Sequence, residues 1–246
     1  MTTYYSISDN IETIGEFQDE GVLHPKYQCQ ECGHAISPRF AQITGVCKFC
    51  QTGENDFEYL DQIFSVTIYT YDFRDHKITN AIDDVKEGEY ADEMAEILEW
   101  GVNNLDSLRE YDVLVPPPRG SRDASSNHMK KIGDRLSDRV DIPLEDCLRK
   151  SENYESQRSM DGASERWDNI DGNIECVRDF SSEPKVIVID DVVTTGATLE
   201  NCAEALIESG ASKVVGLPIA RTEYLDDLVE AEVYIPEDEI PEDERP

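Results

Sequence analysis

Residues 185–198 read Lys185-Val-Ile-Val-Ile-Asp-Asp-Val-Val-Thr-Thr-Gly-Ala-Thr198. Four consecutive β-branched residues, Val186 to Ile189, predict a short strand buried on both faces, as in a parallel sheet. Asp190 and Asp191 stand at its carboxyl end. A small, hydroxyl-rich turn follows (Thr194, Thr195, Gly196, Thr198), and then a helix from about Ala197 to Ser209. That helix puts Leu199, Cys202, Ala203, Leu206 and Ile207 on one face, and Gly210 is a natural stop. In open α/β sheets ligands bind at the carboxyl ends of strands. A helix start with free N–H groups beside hydroxyls suits a phosphate. Paired carboxylates accept hydrogen bonds without donating them, which suits a vicinal diol. One junction is thus equipped for a sugar diol and its phosphate. The plainer reading is a buried strand with an acidic, well-capped turn.

Working outward, strand and helix alternate. A strand is expected over Ile63–Tyr71, and a helix over about Tyr90–Leu108 with Met94, Ile97, Leu98, Val102 and Leu105 on one face. A short strand (Val113–Val115) ends at Pro116-Pro-Pro-Arg119-Gly120-Ser-Arg122, and a helix follows over about Asn127–Val140. A last strand is expected at Val214–Ala220. This order implies an α/β fold with a parallel twisted sheet flanked by helices. Residues 146–172 are polar with little periodicity, as in a disordered stretch or a functional lid. The tail repeats Ile-Pro-Glu-Asp-Glu at 235–239 and 240–244, which reads as a solvated extension. The expected division is an N-terminal extension (1–25), a small metal-stapled unit (26–56), an α/β domain (60–223) and an acidic tail (224–246).

Cys29-Gln-Glu-Cys32 and Cys47-Lys-Phe-Cys50 form two knuckles separated by 14 residues. Pairs spaced in this way let one ion take both sulfurs of each pair, giving a closed tetrahedral thiolate site for a structural Zn²⁺. The segment has almost no apolar core of its own and needs such a staple. His34 is either an extra ligand or a solvated neighbour. Cys147, Cys176 and Cys202 are scattered singly, which argues against a disulfide framework.

The chain has 246 residues, with 54 acids against 22 bases and a formal net charge of −32. Such a charge repels nucleic acid and anionic membranes. It resembles the composition of proteins from a salt-loaded cytoplasm, where salt screens the repulsion. Apolar residues make up 39%, enough for a core. The sequence has no apolar run long enough to span a membrane and no signal-peptide pattern, so a cytoplasmic location is expected. From Arg119 to Arg166 there are ten bases and ten acids. That neutral stretch is where a polyanionic substrate would meet least repulsion.

The Asp190–Thr198 pattern resembles the signature of the type I phosphoribosyltransferases, which bind phosphoribosyl pyrophosphate (PRPP). The resemblance implies that Asp190 and Asp191 contact the ribose hydroxyls and that Thr194, Thr195, Gly196, Ala197 and Thr198 cradle the 5′-phosphate. The order of features is similar to that of the ComF family, phosphoribosyltransferase-like proteins with an N-terminal zinc ribbon, over about residues 27–222. Lys86 and Gly88 match that family's Lys-x-Gly segment. Asn127 matches its Asn-Gln pair, with His128 in place of Gln. Gln157, Arg166 and Asn169 match its flexible Gln…Arg-x-x-Asn loop, although Tyr154 stands where a Thr is usual and the Gln157–Arg166 spacing is about one residue long. Arg119, Gly120 and Arg122 fall in the place of the pyrophosphate loop.

The resemblance implies transfer of phosphoribose from Mg²⁺-bound PRPP to a nucleobase-like acceptor. Alternatives are a non-catalytic PRPP- or nucleotide-binding regulatory module and a competence-type nucleic-acid handling protein. Partners expected are PRPP and a base-like small molecule, with a homo-oligomer left open and nucleic acid disfavoured.

Overall fold

A computed structural model describes residues 5–7, 10–17, 20–53, 57–70, 77–85, 89–105, 107–118, 127–150 and 174–236. In chain order these carry β1 (Tyr5–Ile7), β2 (Ile11–Phe17), β3 (Glu20–Pro25), α1 (Pro38–Ile43), α2 (Lys48–Gln51), β4 (Gln62–Ile63), β5 (Thr67–Tyr69), α3 (Lys77–Asp84), α4 (Ala91–Asn104), β6 (Val113–Val115), α5 (His128–Val140), β7 (Leu148–Lys150), β8 (Ile174–Cys176), β9 (Lys185–Val193), α6 (Ala197–Glu208), β10 (Lys213–Thr222), α7 (Leu225–Glu230) and β11 (Tyr234–Pro236).

The central sheet is parallel throughout. β10 pairs on one side with β9 and on the other with β4 and then β5, and β6 lies beyond β9. Alternation along β9 splits the core into two layers. Ile187 and Ile189 face α4 and α5, together with Val215, Leu217 and Ile219 of β10. Val186 and Val188 face Leu199, Cys202, Ala203 and Leu206 of α6. The protein is therefore an α/β fold with a parallel sheet covered on both faces.

Three elements differ from the sequence-based expectation. The strand of the 185–198 segment does not stop at Ile189 but runs through both aspartates to Val193, because β10 continues beside it (Pro218 opposite Asp190, Arg221 opposite Val193). The strand expected over 63–71 is split into β4 and β5 with no register slip. Phe64 N donates to Gly216 O and Val66 N to Pro218 O, but Pro218 has no N–H to return to Phe64, which breaks the ladder there. Finally, the chain from 224 onward is not yet a solvated tail. Leu228 and Val233 are buried against Ile11 and Ile68, and β11 pairs antiparallel with β1. The repeat at 235–239 and 240–244 begins in β11, and residues 237–246 lie outside the described residues.

Residues 1–25 include a hairpin, β2–β3. Phe17 and Val22 enter the core against α4. Thr67 Oγ1 donates to Leu23 O at 2.7 Å, and buried His24 donates through Nδ1 to Val66 O at 2.7 Å. Burial, the largest influence on that imidazole, lowers its pKa.

Candidate functional site

At the carboxyl end of β9 the chain leaves the sheet through Thr194 and Thr195 and enters α6 at Gly196. Gly196 has φ 89°, a left-handed conformation that an L side chain resists, and a Cβ there would lie 2.8 Å from the Phe57 ring. Thr195 Oγ1 accepts from Ala197 N at 3.3 Å, and Thr194 Oγ1 shares a 2.9 Å hydrogen bond with Thr222 Oγ1. Asp190 and residues 192–199 line a depression of about 410 Å³. The residues read as a phosphate cradle thus share one concave surface with the first aspartate.

The two aspartates are held by the backbone. Asp190, 8% exposed, accepts from Asp191 N through Oδ1 at 2.9 Å. Asp191 Oδ1 accepts from Val192 N at 2.7 Å, while its Oδ2 lies 3.0 Å from His128 Nε2. His128 is the first residue of α5. Asn127 caps that helix by accepting from Lys130 N at 3.4 Å, and its Nδ2 donates to Pro117 O at 3.1 Å. The Asn127–His128 pair therefore ties the chain after β6 to the second aspartate.

Lys150, which sequence alone reads as a surface base, is partly buried at the end of β7. Burial pulls its pKa down to about 8, against a smaller opposite effect of Cys202. Cys202 is buried in α6, and its thiol is pushed up by desolvation first and by Asp190 second. Cys202 thus interacts electrostatically with both Lys150 and Asp190. β7 and β8 pair in antiparallel fashion and bracket residues 151–173. The pairing also joins two cysteines that are far apart in sequence: a hydrogen bond from Cys147 draws the Cys176 thiol down to about 6.

Lys86, Arg119, Gly120, Arg122, Gln157, Arg166 and Asn169 lie outside the described residues.

The second cluster is Cys29, Cys32, Cys47 and Cys50, whose sulfurs all lie within 4.8 Å of one another. Cys32 and Cys47 sulfurs are 3.5 Å apart, and Cys29 and Cys50 sulfurs 3.7 Å. A tetrahedral zinc with Zn–S bonds of about 2.3 Å requires edges of about 3.8 Å. Hydrogen bonds from Cys32, Cys47 and Cys50 hold the Cys29 sulfur toward thiolate, and Cys47 N donates to it at 3.2 Å. This donor set can bind a metal such as zinc. His34 is not part of it. Its Nδ1 lies 2.9 Å from Glu223 Oε2, just past β10, and Glu223 Oε1 accepts from Ala35 N at 2.9 Å.

The cysteine unit is fastened to the same end of the sheet as the cradle. Ile63 N donates to Glu31 O at 2.8 Å, and Gln28 Nε2 donates to Ser65 O at 2.7 Å. Gly33 (φ 75°) leaves no room for a Cβ, which would meet Ile63 O at 2.8 Å. Glu200, in the first turn of α6, is 8% exposed and accepts from the backbone N–H groups of Glu58, Tyr59 and Leu60 at 2.7, 3.0 and 2.9 Å.

A family model described as the phosphoribosyl transferase domain matches residues 82–217, more than half of the chain. The chain belongs to the phosphoribosyl transferase domain family. The match begins in α3 and ends in β10, so this family domain contains β9, the aspartates and the cradle. No curated protein sequence matches the chain. Among solved structures, the chain is similar to the glutamine PRPP amidotransferase of B. subtilis complexed with ADP and GMP (20% identity, 52% of this chain, 26% of that chain, TM-score 0.35). It is also similar to a purine phosphoribosyltransferase of Pyrococcus horikoshii (18% identity, 54% of this chain, 85% of that one, TM-score 0.34). A third is an adenine phosphoribosyl transferase of Trypanosoma brucei (14% identity, 58% of this chain, 68% of that one, TM-score 0.36). The chain spans about a quarter of the amidotransferase it matches.

Proposed function

We propose that the protein binds PRPP with Mg²⁺ and transfers its phosphoribosyl group to a nucleobase-like acceptor. The supporting observation is the β9–α6 junction. It sets the backbone-fixed carboxylate of Asp190 in one depression with a glycine-containing hydroxyl turn at a helix start, at the carboxyl end of a central parallel strand, with Asp191 next in the chain and facing His128. In such a transfer the bond from C1 of the ribose to the pyrophosphate oxygen breaks and a C1–N bond forms. The acceptor gives up a proton, and its lone pair replaces the electrons that leave with pyrophosphate. Asp190 and Asp191 hold the 2′ and 3′ hydroxyls and stabilise the positive charge growing on the sugar. The Thr194–Thr198 turn fixes the 5′-phosphate and, with it, the ring. Mg²⁺ bound with the substrate would supply charge neutralisation at the diphosphate. Arg119, Gly120 and Arg122 are assigned to the pyrophosphate loop, and Lys150 is assigned as a further source of positive charge for the diphosphate. Gln157, Arg166, Asn169 and Lys86 are assigned to the flexible loop and its neighbourhood.

We place the protein in the ComF branch, with the four cysteines holding Zn²⁺ in a ribbon spanning 26–56. Its position beside β4, β5 and Glu223 suits a hood over the acceptor side. Calorimetry of PRPP with Mg²⁺, followed by a pyrophosphate-release screen over purine and pyrimidine bases in concentrated salt, tests the reading. Release with any base supports it. Tight binding without release favours the regulatory module.

His128 is expected to act through Asp191. His128→Ala should lower kcat/KM for PRPP about tenfold, the loss of one hydrogen bond to a charged group. His128→Gln, which keeps a donor, should recover most of it. Initial velocities at limiting PRPP check both. Lys150 gives a proton-linkage signature. With its pKa near 8 in the free protein, a bound diphosphate raises that pKa, so binding takes up a proton at pH values just above 8. The uptake vanishes well below 8, where the lysine is already charged. Calorimetry in buffers of different ionisation enthalpy measures it, and Lys150→Met should abolish it.

A further inference from the structure

Arg221 is 1% exposed, among the largest fully buried side chains of the protein. It lies near the end of β10, opposite Val193 of β9 and Ile68 of β5. Its guanidinium bridges two turns. Nη1 donates to Cys32 O at 2.6 Å, in the first cysteine knuckle, and Nη2 donates to Thr194 O at 3.0 Å, where the cradle begins. Among the described residues no carboxylate pairs with it, and its Nε has no partner. A guanidinium so far from water is strongly disfavoured unless anionic groups lie close by. Besides the buried carboxylate of Glu223 two residues on, the candidates are the two structures it joins. Four thiolates around one divalent cation keep two net negative charges, and a bound 5′-phosphate is itself an anion. A second link runs beside the first: Phe57 packs on the cysteine cluster, and its ring sits 2.8 Å from where a Cβ on Gly196 would be.

We propose that Arg221 is a positioning residue that couples the cysteine metal centre to the phosphate cradle, so that metal occupancy sets the affinity for a phosphorylated pentose. The proposal rests on reading the Thr194–Thr198 turn as the phosphate site. Metal in the knuckles fixes the Cys32 carbonyl. That carbonyl fixes one edge of the guanidinium fork, and the other edge holds the Thr194 carbonyl so that the turn presents its N–H and hydroxyl groups together. Loss of the metal releases the first acceptor and leaves the buried cation pulling on the second. Coupling of this kind is reciprocal: the sugar phosphate must raise metal affinity by the factor by which the metal raises sugar-phosphate affinity.

The test uses the full chain and ribose 5-phosphate as probe. Its affinity is measured by calorimetry on zinc-loaded protein, on protein stripped by a strong chelator, and after zinc is restored. Zinc affinity is measured by competition with a chromogenic chelator, with and without the probe. Stripping is expected to weaken the probe at least tenfold, reversibly, with the far-ultraviolet circular dichroism of the sheet domain retained. The probe is expected to tighten zinc by the same factor. Arg221→Lys keeps the buried charge but not the two-edged fork, and should abolish both effects; Arg221→Met should do the same if it folds. Equal probe affinity with and without zinc overturns the coupling, as does undiminished coupling in Arg221→Lys. If zinc-loaded wild-type protein fails to bind the probe at all, the phosphate reading falls, and the coupling with it.

Discussion

Replacing Asp190 and Asp191 together by asparagine is expected to cut pyrophosphate release about 10³-fold while leaving the melting temperature nearly unchanged. The two halves of that expectation have separate causes. A carboxylate holding a sugar hydroxyl makes a charge-assisted hydrogen bond worth about 2 kcal/mol. Losing two of them, with the charge that steadies an oxocarbenium-like sugar, removes about 4 kcal/mol of transition-state stabilisation. The backbone bonds that fix the two side chains do not need the charges, and the one other contact described, Asp191 Oδ2 to His128 Nε2, is a single part-buried bond. Asp190 Oδ1 accepts from Asp191 N and Asp191 Oδ1 from Val192 N, and an asparagine carbonyl can accept both bonds. Two adjacent like charges also disappear, one of them buried. Release at saturating PRPP and a thermal melt on the same preparation check the pair of outcomes. A large fall in both would mean that the aspartates are structural. No fall in either would remove them from the chemistry.

What the sequence made legible follows from how local each signal is. The stretch from Lys185 to Thr198 carries strand, acids and turn in consecutive residues, so one reading recovers both the fold and the candidate site. Met94, Leu98 and Val102 were readable as a helix face because α4 buries a single stripe, and all three are buried. The two cysteine pairs were readable from spacing alone. Contacts that join distant segments were hidden. Nothing near Arg221 announces that it will meet Cys32 and Thr194. Lys150 reads as a surface base because its burial and the influence of Cys202, a residue far along the chain, arise only in the fold. Pro218 interrupts the partner strand rather than its own, so the split between β4 and β5 cannot be read from 62–69. The β2–β3 hairpin went unread because Glu12 and Glu16 mask a strand whose buried ends are Ile11 and Phe17.

Glu200→Ala is expected to lower stability by about 3 kcal/mol. Its carboxylate receives three consecutive backbone N–H groups, those of Glu58, Tyr59 and Leu60. It stands in the first turn of α6, where the helix dipole favours a negative charge. Alanine would leave three donors of a partly buried loop without an acceptor and take the charge from the helix start. For a protein of this length the loss corresponds to a fall of about 10 °C in melting temperature. Glu200→Gln keeps one acceptor oxygen and should lose roughly half as much. The effect should also reach the site. Phe57, held at the edge of this clamp, packs over Gly196, so the alanine variant should bind ribose 5-phosphate more weakly even well below its melting temperature. Thermal denaturation with calorimetry of the same samples separates the two consequences. A variant that melts like the wild type would show that water replaces the carboxylate. One that melts early but binds normally would show that the clamp supports the fold and not the cradle.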